Sequence, residues 1–147
     1  MKITLDDRKA TATPEGHLVR EMLGLETMNV SKYSVAHIVA EAGSRDITRE
    51  NQFDEILLVI KGHGTVRQDY VDEEIGPKDV VLLPAGTRYA IEAQEEEDLE
   101  LWAICVPAYR AEWSNAGSAK RDWREYQVPR GAERLRSIQK RNEDREG

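Results

Sequence analysis

The sequence has a single cysteine, no long apolar run and no excess of basic residues, and each of these absences excludes a class of protein. One cysteine cannot close a disulfide within the chain. No stretch approaches the roughly 20 apolar residues that a membrane-spanning helix needs. The first residues, M-K-I-T-L-D-D, lack the apolar core of a signal peptide. We therefore expect a soluble cytoplasmic protein.

The formal net charge of -7 argues against nucleic acid as a partner, because phosphate binding needs a concentrated basic face. The length of 147 residues suits one domain with a single hydrophobic core. Cys105 lies in the apolar stretch W-A-I-C-V with no basic residue beside it to stabilise a thiolate. It is predicted to be a small buried side chain rather than a nucleophile.

Strand patterns dominate the middle of the chain. Residues 33–39 alternate in polarity, whereas residues 56–60 form an unbroken apolar run. A half-buried strand would show a polar residue at every second position, so both faces of this run are predicted to be covered, the outer one by the opposite layer or by a second subunit. Further strands are predicted at residues 65–68, 80–83, 88–92 and 99–106, with turns at 62–64, 72–77 and 84–86. Many short strands at this spacing indicate an all-β jelly roll of two sheets.

The two ends of the chain differ from this core. Residues 1–27 mix apolar residues with turn formers and are predicted to be an N-terminal arm, followed by a β-barrel over residues 28–110. Residues 111–147 are predicted to be a C-terminal extension. Its charged final part, residues 131–147, is predicted to be a marginal surface helix or partly disordered.

Two stretches resemble the two conserved motifs of the cupins, with most of the metal ligands replaced. In the first, Gly43, Glu55 and Gly62 stand at their expected places, while Arg49 and Asn51 occupy the two histidine positions. In the second, the proline and the second glycine are kept, and three other positions carry different residues: Lys78 for glycine, Tyr89 for histidine and Ala93 for asparagine.

The chain therefore resembles the RmlC-like cupin superfamily over roughly residues 32–109. The stretch F-D-E-I-L-L-V-I-K-G and the later I-C-V-P-A are most similar to the ethanolamine-utilisation type of small cupins. The resemblance implies a double-stranded β-helix, the jelly-roll barrel of cupins. It also implies that Glu55 and Tyr89 point into the barrel. Residues two apart on a strand share a face, so Arg49 and Asn51 are predicted to join them there.

We expect this site to work without a metal or other cofactor. A guanidinium carries positive charge and no free lone pair, so an arginine at a ligand position repels a cation. An alternative register would turn Thr48 and Glu50 inward instead. Glu50, Glu55 and Tyr89 would then form an oxygen-rich set for a weakly held manganese or magnesium ion.

The chemistry left is proton transfer on a small polar or anionic molecule, of the isomerase, lyase or cyclase type. Glu55 is predicted to be the general acid or base, with a pKa raised by burial unless Arg49 pairs with it. Tyr89 would donate to a developing oxyanion, while Arg49 and Asn51 bind the substrate. His37 is a further catalytic candidate if it faces inward. His63 is expected to be exposed, and His17 is assigned no role.

Two other functions remain open. One is a metal-dependent cupin such as an oxygenase. The other is a non-catalytic binding or scaffold cupin, in which an Arg49–Glu55 ion pair under Tyr89 plugs the barrel. Besides a small-molecule substrate, the expected partner is a second copy of the chain in a homodimer, with no nucleic acid and no membrane.

Overall fold

The computed structural model describes residues 1–46 and 48–114, and this part of the chain contains ten β-strands, one short α-helix and two single-turn 3-10 helices. The strands are β1 (Thr11–Ala12), β2 (His17–Leu23), β3 (Ser34–Ala40), β4 (Arg49–Glu50), β5 (Asp54–Lys61), β6 (Gly64–Gln68), β7 (Val71–Ile75), β8 (Val80–Leu83), β9 (Arg88–Ala93) and β10 (Leu99–Val106). The helix, α1, spans Leu25–Met28. The predicted helical tail lies outside the described residues.

The strands form two antiparallel sheets, as an all-β jelly roll requires. The six-stranded sheet has the order β1-β2-β3-β10-β5-β8, and the four-stranded sheet has the order β4-β9-β6-β7. Strands β8 and β10 have the predicted limits, residues 80–83 and 99–106. The all-β prediction is confirmed.

Strand β5 alternates between the interior and the outer face of the six-stranded sheet. Glu55, Leu57 and Val59 are buried, whereas Ile56 and Leu58 are partly exposed and Ile60 is exposed. The side chains on the outer face, Ile56, Leu58 and Ile60, are nevertheless all apolar. Coverage of that face by a second subunit remains a prediction.

Strand β7 corrects the expected turn at residues 72–77. It pairs with β6 from Gln68↔Val71 to Gly64↔Ile75, and the two strands are joined by Asp69 and Tyr70. Both of these residues have positive φ, 45° and 71°, as a tight hairpin turn demands. Neither is a glycine, so the sequence lacks the usual signal for such a turn.

The predicted N-terminal arm is part of the six-stranded sheet. Strand β2 pairs with β3 from His17↔Ala40 to Leu23↔Val35, and β1 pairs with β2. The strand core therefore begins before residue 28. Within residues 1–46 and 48–114, no helix has the length and apolar character needed to cross a bilayer.

The hydrophobic core lies between the two sheets. A glycine of the first motif, Gly62, forms the tight turn at one edge of it. The largest fully buried apolar side chains include Phe53, Leu57, Leu83, Leu99 and Leu101. Gly62, at φ +85°, turns the chain from β5 into β6, and a Cβ there would collide with the backbone oxygen of Asp98. This position requires glycine for both its conformation and its space.

Candidate active site

A cavity of about 530 Å³ lies between the two sheets. One wall is apolar and comes from alternate residues of β3 and β10: Ala36, Ile38, Ala40, Leu101 and Ala103. Polar side chains reach the cavity from β4, β5 and β9 and from the segments that precede β4 and β5. The volume suits a small organic molecule.

Three buried polar side chains form a closed hydrogen-bonded triangle in this cavity. The amide Nδ2 of Asn51 donates to Glu55 Oε2 at 2.8 Å and to the Tyr89 hydroxyl at 3.1 Å. The Tyr89 hydroxyl donates to the same Glu55 oxygen at 2.9 Å. Asn51 Oδ1 is buried and has no hydrogen-bond partner among the described residues. The triangle therefore leaves an acceptor for a ligand.

Burial governs the ionisation of both acidic members of the triangle. Desolvation raises the pKa of Glu55, against the hydrogen bond from Tyr89 and the charge of Arg49, which lower it. Desolvation also raises the pKa of Tyr89 well above its ordinary value of 10.0, and the charge of Glu55 adds to the rise. Tyr89 is therefore a neutral hydroxyl donor, and Glu55 is a carboxyl with an increased hold on its proton.

Arg49 lines the cavity but pairs with other carboxylates. Its Nε lies 3.2 Å from Asp46 Oδ1, and its Nη2 lies 3.4 Å from Glu15 Oε2. Burial opposes the charge on Arg49, but Asp46 together with Tyr89 and Glu15 outweighs it and raises the pKa of the guanidinium. Because no ion pair joins Arg49 to Glu55, the predicted Arg49–Glu55 plug is wrong, and the barrel is open.

The alternative oxygen-rich metal set is not assembled. Glu50 does not line the cavity: it stands opposite Arg88 in the β4–β9 pair, and the charge of Arg88 favours its ionised form. Arg49 and not Glu50 faces inward, so the shifted register is wrong. Within residues 1–46 and 48–114, no group of three histidine, cysteine or acidic side chains has the arrangement of a metal site.

His37 lies on the other side of its strand. Ala36 and Ile38 line the cavity, and alternation along β3 turns His37 to the outer face of the sheet. There its Nε2 lies 3.0 Å from Glu100 Oε1, and its ring stacks edge-on against Trp102 at 5.1 Å. The structure therefore separates His37 from Glu55, and we withdraw it as a catalytic candidate.

His17 and Asp46 also line the cavity, although the sequence does not predict it. Strand β2 turns His17, Val19 and Glu21 toward the cavity at every second position. This alternation was visible in the sequence, but the preceding P-E-G indicated a loop. Asp46 lies three residues before Arg49 and outside any predicted strand. No alternation pattern therefore indicates which way its side chain points.

The remaining predictions about single residues fit the structure. Cys105 is buried beside Glu55 in the β10–β5 register, and burial raises the pKa of its thiol, which leaves it a poor nucleophile. His63 is exposed, and its Nδ1 lies 3.0 Å from Glu97 Oε1.

Two curated proteins have related sequences. The chain is 28% identical over 115 residues to the endoribonuclease YbeY of Myxococcus xanthus, a match that covers 77% of this chain and 39% of that protein. It is 25% identical over 113 residues to the uncharacterised protein MJ1618 of Methanocaldococcus jannaschii, covering 76% and 90%. The chain thus spans about two fifths of the YbeY protein. No protein-family model matches.

Solved structures share the fold at low sequence identity. The nucleoside dehydratase Pac13 of Streptomyces matches with a TM-score of 0.67 at 15% identity, covering 79% of this chain and 89% of that one. The polyketide cyclase RemF of Streptomyces resistomycificus has a TM-score of 0.64 at 12% identity, covering 72% and 78%. The cupin domain of Cnp3 from Schizosaccharomyces pombe has a TM-score of 0.60 at 12% identity, covering 71% and 72%. The chain therefore has the cupin, or RmlC-like, fold.

Proposed function

We propose that this protein is a cupin-fold enzyme that transfers protons on a small polar molecule without a metal ion. The observation that carries the proposal is a buried carboxyl, Glu55, with a raised pKa and two hydrogen-bond donors, in a cavity of about 530 Å³. Groups with perturbed pKa values in clefts are typical of acid–base sites.

The triangle suggests a division of labour. Ionised Glu55 would take a proton from a carbon beside a carbonyl, so that the C–H bond breaks and its electron pair moves onto the carbonyl oxygen. The neutral Tyr89 hydroxyl would donate to that oxyanion. Protonated Glu55 then gives its proton to the former carbonyl carbon, while the proton of an adjacent substrate hydroxyl passes to the oxyanion and that hydroxyl oxygen becomes the new carbonyl. Alternatively, protonated Glu55 gives its proton to a hydroxyl on the carbon next to the deprotonated one, and this hydroxyl leaves as water while the oxyanion re-forms the carbonyl. The first outcome is isomerisation and the second is elimination.

Deuterium exchange tests this function across a range of candidate substrates. The protein is incubated in D₂O with a panel of hydroxy-aldehydes and hydroxy-ketones, and exchange at carbon is followed by proton NMR. We expect Glu55→Gln to slow exchange by about two to four orders of magnitude. Undiminished exchange in that variant, or no exchange with any compound of the panel, would rule out the proposed chemistry.

Two structural neighbours bear on the type of reaction. Pac13 is a dehydratase and RemF is a cyclase, and both names fit elimination or cyclisation. This is an analogy between folds, because their sequence identities to this chain are 15% and 12%. The similarity to the ethanolamine-utilisation type rests only on the sequence of residues 53–62 and 104–108.

Metal independence is the part of the proposal that elemental analysis tests directly. It is supported by Arg49, whose positive charge lies in the cavity where cupins place an imidazole ligand. We expect protein purified without chelator to contain no stoichiometric iron, nickel, zinc or manganese. A stoichiometric metal would favour the oxygenase alternative.

We also propose that the protein is a homodimer in the cytoplasm. The proposal is supported by the outer face of the six-stranded sheet, where Ile56 stands beside Leu82 and Ile104 in the strand register. Leu82 is 45% exposed and Val80 is 62% exposed. A contiguous apolar face of this kind is typical of subunit contacts.

A further inference from the structure

A second polar group in the cavity stands outside the Glu55 triangle. It consists of Arg49 and Asp46, which line the cavity with Nε and Oδ1 3.2 Å apart, and of Glu15, which lies 3.4 Å from Arg49 but does not itself line the cavity. The three side chains are largely buried, with exposures of 17%, 3% and 11%. The planar fork of the guanidinium is thus held on two sides by groups of this chain.

The ion pairs of Arg49 determine which ligand charge the cavity can accommodate. Two carboxylates surround one guanidinium, so an incoming anion meets net negative charge instead of a free arginine. Glu21 and Glu26 also line the cavity, against one lysine, Lys9. The repulsion is strong at this depth because the interior screens charge less than water does. A neutral molecule with hydroxyl groups avoids the repulsion and can donate to the carboxylates.

His17 adds an unused hydrogen-bonding atom to this group. The residue is 7% exposed, lines the cavity, and its Nε2 is buried with no hydrogen-bond partner among residues 1–46 and 48–114. The ring lies near Asp46 and Glu15, since a charge on it would act on both carboxyls. An imidazole nitrogen accepts or donates according to tautomer, and a hydroxyl group does both. A ligand hydroxyl is therefore the natural partner.

We propose that His17 and the Asp46–Arg49–Glu15 group form a second polar subsite, which binds a hydroxyl of a neutral polyhydroxylated molecule and excludes anions. The inference rests on the proposed function in that the same cavity holds the substrate, with its reacting carbon beside Glu55 and a hydroxyl beside His17. It replaces the expectation that Arg49 clamps an anion.

The test uses two pairs of probes: galactose with galacturonate, which differ chiefly in charge, and uridine with uridine monophosphate, which differ by a charged phosphate group. Binding is measured by ligand-observed NMR at neutral pH. We expect at least one neutral probe to bind about tenfold or more tightly than its anionic counterpart. Asp46→Asn releases Arg49 from one partner, so it should raise anion affinity and reduce the ratio about tenfold. Glu15→Gln should act in the same direction if the Asp46 variant folds poorly.

His17→Leu should weaken the neutral probe about tenfold, and His17→Gln, which keeps a hydrogen-bonding group, should weaken it less. His63→Gln is the matched control, because His63 lies in an exposed turn, and it should change nothing. Equal or tighter binding of the anions, an unaffected His17→Leu variant, or no binding of either neutral probe would overturn the proposal. A different outcome separates the two proposals. If the Glu55→Gln variant still binds the neutral probe selectively but the wild-type protein catalyses no proton exchange, the proposed function is rejected and the subsite is kept.

Discussion

The Tyr89 hydroxyl donates to Glu55 Oε2 across 2.9 Å, and both side chains are buried on facing sheets of the barrel. Tyr89 comes from β9 of the four-stranded sheet and Glu55 from β5 of the six-stranded sheet. The bond therefore joins the two layers at the point where the cavity is most polar. The strength of this hydrogen bond depends on whether Glu55 is ionised, because a carboxylate is a stronger acceptor than a neutral carboxyl group.

Glu55→Gln should stabilise the protein as the pH rises. Burial raises the folded-state pKa of Glu55 above its ordinary value of 4.5, so its contribution is fully present below that value and is lost as pH rises through the folded pKa. Glutamine has no such loss. Urea unfolding at about pH 4 and about pH 8 should show the variant gaining on wild type, by about 1.4 kcal/mol for each unit of pKa shift. A constant difference between the two pH values would mean that the Glu55 pKa is not raised.

Tyr89→Phe should raise the pKa of Glu55 further. Burial already raises this pKa, and the variant removes the hydrogen bond that opposes the rise. Carboxyl carbon NMR of glutamate-labelled protein, with Glu55→Gln for assignment, measures the change. Proton exchange should also fall about a hundredfold, because the oxyanion donor is lost. An unchanged titration would show that Tyr89 and Glu55 do not share this bond in solution.

Arg49→Met should destabilise the protein by about 3 kcal/mol, because it leaves Asp46 and Glu15 buried without their cation. Arg49→Lys keeps the charge and should cost less. Urea unfolding at neutral pH measures both variants. The loss should shrink in acid, where the two carboxyls take up protons. A loss independent of pH would indicate that packing of the arginine side chain matters more than its charge.

Gly62→Ala should destabilise the fold by about 2 kcal/mol or more. The new methyl group would meet the carbonyl oxygen of Asp98, and φ is +85°. Gly43→Ala is the control, since its φ is +75° but its nearest side-chain neighbour leaves room for a methyl group. Thermal unfolding of the two variants separates the cost of the collision from the cost of φ alone. Similar losses would mean that the backbone at Asp98 yields.

Leu82→Asp should convert the proposed homodimer into a monomer. A charge on the apolar outer face would be buried unpaired in the dimer, which is costly. Sedimentation velocity measures the change in mass. Val71→Asp is the control, because Val71 is 53% exposed on β7 of the other sheet and should leave the dimer intact. A wild-type protein that sediments as a monomer would refute the dimer.

The sequence predicted the limits of individual strands better than it predicted which strands pair with each other. The runs at β8 and β10 carry their own strand signal in apolar and β-branched residues, and so their limits were predicted to the residue. Strand β7 was missed because V-D-E-E-I is polar and its turn lacks glycine. Its pairing depends on β6, which a local pattern does not contain.

The cavity residues divide in the same way. Arg49, Asn51, Glu55 and Tyr89 all reach the cavity, since motif spacing and strand alternation set which face they occupy. Their partners were not predictable. Arg49 pairs with Glu15, which lies 34 positions earlier in the chain. Whether Arg49 pairs with Glu15 or with Glu55 depends on where the segment before β2 packs, and the sequence does not show this.

The residues alone predicted the jelly roll and the replacement of the imidazole ligands, because these follow from local alternation and from side-chain chemistry, and they left two registers for the inward positions. Tertiary structure alone decided that Arg49 and not Glu50 faces inward, that Arg49 pairs with Glu15, that His37 faces outward and that His17 faces inward. Charge pairing and burial act through space between distant segments, and only the packed sheets bring those segments together.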